Sequence, residues 1–143
     1  MELRTDKIRA CFDRKIGNFT ELWNLSTNTN YVRCAPRDPL IELYGLKNGE
    51  RVKLSGHISD VAEAPDALIL SYDSFGEYDI SAKVTCRCEQ DRLVFSAEIC
   101  NHSTIDVTEI LMPHLGGIYL GNGQKDYLIY PHHAGDKNRR SGI

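Results

Sequence analysis

The sequence contains no apolar run near the roughly 18–20 residues that cross a bilayer as a helix, so a membrane is not an expected partner. The charged start, Met1 to Asp6, leads into no apolar stretch of the kind that directs secretion, and the chain is read as cytoplasmic. Charge of one sign is also missing. Seventeen Lys and Arg stand against twenty Asp and Glu, for a net charge of −3. A duplex-binding protein needs a basic face to neutralise phosphates, so nucleic acid is not expected either. No window of ten residues carries apolar side chains at i, i+3, i+4 and i+7, which removes the amphipathic helix. The one run of helix formers, Asp60 to Ala67, is cut by Pro65 and makes at most one turn.

Catalytic signatures are equally scarce. There is no G-x-S-x-G, no H-E-x-x-H and no P-loop. Gly121-Asn122-Gly123 lacks the following helix that would make it a phosphate cradle, and reads as a turn. The five cysteines (Cys11, Cys34, Cys86, Cys88 and Cys100) are an odd number with no framework spacing. Cys86 and Cys88 share one strand face, two thiols where a structural zinc takes four ligands. They are read as small apolar residues in a reducing compartment. Acidic residues lie mostly opposite Lys and Arg on solvent faces, so spacing selects no glycosidase pair of carboxylates. No catalytic residue, cofactor or metal site is assigned.

What is present is a period of two. Ile8, Ala10 and Phe12 alternate with Lys7, Arg9 and Cys11, and Phe19 to Leu25 returns as a second strand. Tyr31 to Leu46 is extended but interrupted at Pro36 and Pro39, which suits an edge or crossing segment. Asn48-Gly49 is a turn signal leading into Arg51 to Val61. The clearest pair places Ile80, Ala82, Val84, Cys86 and Cys88 on one face. After a turn at Glu89-Gln90-Asp91, Leu93, Phe95, Ala97 and Ile99 share a face on the return. Asp106 to Met112, Ile118 to Leu120 and Lys125 to Tyr130 are further strands. About a quarter of the residues are Leu, Ile, Val or Phe, enough for a packed core. The expected fold is all-β, an antiparallel β-sandwich of eight to ten strands in one domain, residues 1–134. Residues 135–143 show no strand pattern and read as a polar tail or the start of a linker.

Histidines gather toward the end of the chain, at His102, His114, His132 and His133. His114 with Asp126 and one of the pair His132-His133 would supply three metal ligands, but hydrogen-bonded loop histidines are the simpler reading. Imidazole, carboxylate and aromatic rings are also the groups that hold sugar hydroxyls and stack on sugar rings. The candidate carbohydrate contacts are therefore Trp23, His114, Asp126, Tyr127, Tyr130, His132 and His133.

Four segments carry a family resemblance. They are Ile8-Arg9-Ala10-Cys11-Phe12 with Ile16-Gly17-Asn18-Phe19-Thr20-Glu21-Leu22, then Phe95 to Ser103, Met112-Pro113-His114-Leu115-Gly116-Gly117-Ile118, and Asp126 to Gly135. In this order they resemble the amino-terminal galactose-mutarotase-like β-sandwich, a supersandwich, of a group of large glycoside hydrolases. The resemblance implies a partial supersandwich that ends before the catalytic barrel, and no catalytic residue carries over. The function expected from it is a non-catalytic domain serving as scaffold or carbohydrate contact. An alternative is a small sugar mutarotase or isomerase, with His114, His132 or His133 as acid and Glu98 or Glu109 as base. A protein-interaction module is the third. A partial sandwich leaves a sheet face uncovered, so a homodimer is expected, burying about 1,600 Å². Its contacts are expected near Tyr31–Leu46 or Lys125–Tyr130, where prolines mark chain edges.

Overall fold

The computed structural model describes residues 1–119, 127–130 and 136–139. In chain order the strands are β1 (Glu2–Arg4), β2 (Ile8–Phe12), β3 (Phe19–Asn24), β4 (Thr29–Asn30), β5 (Glu42–Lys47), β6 (Glu50–Leu54) and β7 (Asp60–Glu63). They continue as β8 (Ala67–Tyr72), β9 (Ile80–Glu89), β10 (Arg92–Asn101), β11 (Asp106–Leu111), β12 (Tyr127–Tyr130) and β13 (Asp136–Arg139). Every pairing is antiparallel. The first sheet runs β1-β2-β3-β4 and the second β10-β9-β8-β7. The third places β5 between β11 and β6, and β12 pairs with β13 as a separate ribbon. No helix among the described residues is long and apolar enough to cross a membrane.

Alternation builds the core. β9 buries Ile80, Ala82, Val84, Cys86 and Cys88 while Lys83, Arg87 and Glu89 face water. β8 buries Leu68, Leu70 and Tyr72 by the same rule. These side chains join Leu3, Ala10, Phe12 and Phe19 of the first sheet and Leu43 and Leu54 of the third in one apolar cluster. Phe19 meets Phe95 edge-on at 6.1 Å, a ring contact that links the first sheet to the second. The result is an all-β antiparallel arrangement of the sandwich kind. Burial pushes the Cys86 thiol up to about 12, aided by the neighbouring Cys88. Both therefore pack as apolar groups, as the sequence suggests.

Several elements depart from the expected pattern. The end of the Tyr31–Leu46 stretch is not an edge. Its last residues form β5, which is hydrogen-bonded on both sides, and the prolines all precede it. Arg51 to Val61 divides into β6 and β7, and Asp60 to Glu63, in the run that allows at most one helical turn, is a strand. β1 and β8 were not expected. Ala67-Leu68-Ile69-Leu70 is apolar on both faces, which hides the period-two signal of β8. Ile118 makes a single bridge to Val32. Asp136–Arg139, within the expected polar tail, pairs along its whole length with β12, because backbone pairing needs no apolar alternation.

Two turns differ in what a methyl group would meet. Gly49 at φ +80° follows Asn48 at φ +54°, the two-residue connection from β5 to β6 that matches strand twist. Gly17, at φ +74°, lies under the second sheet, where an added Cβ would stand 2.7 Å from Leu70 Cδ1 and 2.9 Å from Ile58 Cδ1. Around Gly49 there is nothing within 4 Å. Gly17→Ala should therefore lower unfolding free energy by about 3 kcal/mol, strain and overpacking together. Gly49→Ala should cost about 1 kcal/mol, from strain alone. Urea denaturation of the two variants checks the difference, and equal losses would remove the packing role given to Gly17.

Candidate functional site

The stretch Leu40-Ile41-Glu42-Leu43 is apolar except for one carboxylate, and all four residues are buried. Pleating sends Glu42 and Tyr44 to one face of β5, with Lys53 of β6 directly opposite Tyr44 in register. All three side chains meet. Lys53 Nζ donates to Glu42 Oε1, and Tyr44 OH donates to Glu42 Oε2 at 3.0 Å. His114 Nδ1 stands 3.3 Å from Glu42 Oε1, but in an orientation that makes no hydrogen bond. Its ring lies beside the carboxylate without a directed bond to it. The Glu42 side chain is only 3% exposed, whereas that of Lys53 is 43% exposed.

The histidine is held by its backbone. His114 N–H donates to Leu40 C=O at 2.8 Å, and the His114 carbonyl accepts from Asn18 Nδ2 at 2.8 Å. The same amide donates to Asp38 C=O at 2.9 Å, while Asn18 Oδ1 accepts from Phe19 N–H at 2.8 Å. Asn18 is 1% exposed, so no solvent replaces these bonds. One buried amide thus ties the β2–β3 turn to two loops flanking the carboxylate.

Burial by itself raises the Glu42 carboxyl pKa. The bonds from Lys53 and Tyr44, with the charges of His114 and Lys53, outweigh burial and leave it below the ordinary value. In return the bond to Glu42 holds the Lys53 ammonium above its ordinary value. A carboxylate with lowered pKa and both oxygens occupied is a poor proton acceptor, so this cluster is better built to position Lys53 than to act as a base.

Lys53 stands at the wall of a pocket of about 250 Å³. Lys15, Arg37, Asp38, Glu42, Ser55 and His57 supply its other polar groups. Among the described residues, neither Lys15 nor Arg37 has a carboxylate within 4 Å. The pocket thus holds three cations against two carboxylates, Asp38 and Glu42, and among the described residues only Lys53 of the three cations is paired.

Of the residues proposed from sequence, His114 belongs to this cluster and Trp23 does not. Trp23 is half-buried on β3, its Nε1 donating to Glu21 Oε2 at 2.8 Å, and it lines a separate groove of about 400 Å³. Tyr127 and Tyr130 lie on β12, in register with Arg139 and Asp136. Asp126, His132 and His133 fall outside the described residues. Neither suggested base stands within 4 Å of His114. Glu98 is exposed on β10, and Glu109 is bonded to Arg51 at 2.8 Å. The carboxylate beside His114 is Glu42, which is not among the candidates from sequence. Its signal was a lone charge inside an apolar run, which implies a buried partner. Among the described residues no three His, Cys, Asp or Glu side chains converge as metal ligands.

Two outcomes follow for this cluster. Asn18→Ala removes three buried hydrogen bonds and should cost about 3 kcal/mol in urea denaturation. A loss under about 1 kcal/mol would mean that the loops are held some other way. For Glu42, the folded pKa lies below the unfolded one, so its stabilisation is complete above the unfolded value and disappears as pH falls through the folded value. Glu42→Gln should be less stable than the parent at pH 7. The gap should close as pH falls below about 4.5, as thermal melts across pH would record. A gap independent of pH would leave no ionic role for Glu42.

Comparison with known protein families, curated proteins and solved structures found no match for this chain.

Proposed function

We propose that this chain is a non-catalytic β-sandwich domain of the galactose-mutarotase-like type that contacts a single acidic sugar ring in the pocket beside Glu42. The observation that carries the reading is the polar lining of that 250 Å³ pocket. Its volume lies below the roughly 300–1,000 Å³ of sites for drug-sized ligands, which favours one small ring. Carboxylate, hydroxyl, imidazole and amine groups line it together, the set that satisfies ring hydroxyls. With Glu42 already engaged by Lys53 and Tyr44, the cations Lys15 and Arg37 favour a ligand carrying a carboxylate or phosphate. A sugar is also the class of ligand that the segments' resemblance to the amino-terminal sandwich of glycoside hydrolases implies. The engaged state of Glu42 argues against proton transfer in a mutarotase, and so favours contact over catalysis.

Binding is tested by titrating the chain with galacturonate, glucuronate and the neutral galactose, following amide shifts by NMR. Uronates should move resonances of residues 15, 37 and 53–57, and galactose should bind about tenfold or more weakly. Arg37→Gln should remove that preference. Absence of shifts with every sugar would overturn the reading. Accelerated anomer conversion in a polarimeter would replace it with the mutarotase.

A further inference from the structure

The second sheet ends in β10, ten residues long and paired in unbroken register with β9 from Arg92–Glu89 to Asn101–Ile80. Among the described residues no strand lies on its other side. Exposed edges are normally blunted by shortness, charge, proline or a bulge. The other edges of the three larger sheets follow that rule: β1, β4 and β7 have three, two and four residues, and β11 is bulged between Val107 and Glu109. β6 carries Arg51 and Lys53. β10 has no proline and no bulge, and its only charges are Arg92 and Glu98.

Backbone directions along this edge are known. Cys88 N–H turns away from β10 to Asp66 C=O at 2.9 Å, and His102 N–H, in register beyond β10, donates to Asp79 C=O at 2.9 Å. Even positions of β10 therefore bond to β9, and positions 93, 95, 97 and 99 aim their N–H and C=O groups outward. Beside this edge lies the groove of about 400 Å³, with Ile8, Phe19 and Leu22 of the first sheet facing Leu93 and Phe95. A strand added to β10, about 4.8 Å away, would lie beside this groove.

We propose that the occupant is a second copy of this chain, its β10 paired antiparallel to the first about a two-fold axis at Phe95. In that register Phe95 faces the partner's Phe95, an outward-bonding position on both strands. Leu93 faces the partner's Ala97, and Arg92 faces the partner's Glu98 at both ends. The strand's two charges become complementary pairs, and no like charges meet. Leu93 and Phe95 of both copies share the inward face and close the groove. This contact differs from the two expected from the sequence, Tyr31–Leu46 and Lys125–Tyr130, and the β5 end of the former is interior to its sheet. The proposal is independent of the ligand reading, since the pocket beside Glu42 is lined by none of β10's residues.

Light scattering with size-exclusion chromatography tests it. The chain should run at twice its 16.2 kDa mass at micromolar concentration. Arg92→Glu and Glu98→Arg each place like charges opposite one another twice per dimer, and each should weaken association about tenfold or more. The double variant, Arg92→Glu with Glu98→Arg, restores both pairs and should recover the dimer. Circular dichroism identical to the parent shows that the variants fold. A monomeric parent at high micromolar concentration would overturn the proposal. So would a dimer indifferent to both single reversals, or a double variant as weak as the singles.

Discussion

Three consecutive residues, Gly17, Asn18 and Phe19, hold the sheets together, and all are buried. Gly17 admits Leu70 and Ile58 against the chain because it has no side chain to keep them out. Asn18 satisfies the carbonyls of Asp38 and His114, two loops that have no sheet to pair with at those points. Phe19 packs on Phe12 at 4.7 Å and reaches Phe95 across the core. The β2–β3 turn thus meets the second sheet through packing, the site loops through hydrogen bonds and the edge strand through a ring. An amide is well suited to the middle position, because it offers two donors and an acceptor without a charge that burial would penalise.

How much of this was legible in the sequence depends on whether a residue's role is local. Alternation marked β2, β3, β9, β10 and β11, since a strand with one buried face states its own register. β8 was invisible for the opposite reason: Leu68-Ile69-Leu70 is apolar on both faces, and only neighbours distinguish a covered strand from a buried helix segment. β5 was misplaced because Pro36 and Pro39 punctuate the chain before it without touching its own ladder. His114 was selected for its chemistry, but its partner lies 72 positions away by residue number, and nothing in the spacing joins Glu42 to Lys53 and His114. Asn18 lies between the two expected strands of the opening hairpin. Its amide bonds to residues 20 and 96 positions distant, a fact that only the fold contains.

The third sheet shows how exposed charges can order a buried one. Arg51 on β6 reaches across β5 to Glu109 on β11, with Nε and Nη2 at 3.2 and 2.8 Å from one carboxylate oxygen. On the way its guanidinium lies 3.6 Å from the centre of the Tyr44 ring. Each exposed ion pair is worth little, about 1 kcal/mol at most, and a surface cation on an aromatic face is of similar size. Their effect here is geometric. A ring covered on one face by a guanidinium is confined, and confinement aims the Tyr44 hydroxyl at Glu42. Glu42 is then deprotonated and fixed, and it orients the Lys53 ammonium at the pocket wall. Replacing the ring edge by Phe would leave the covering arginine in place and take one of the two donors from the carboxylate. The burial penalty on Glu42 would then be opposed by Lys53 and His114 alone. The pocket's cation is in this sense held from the outer face of the sheet, through a strand it does not belong to.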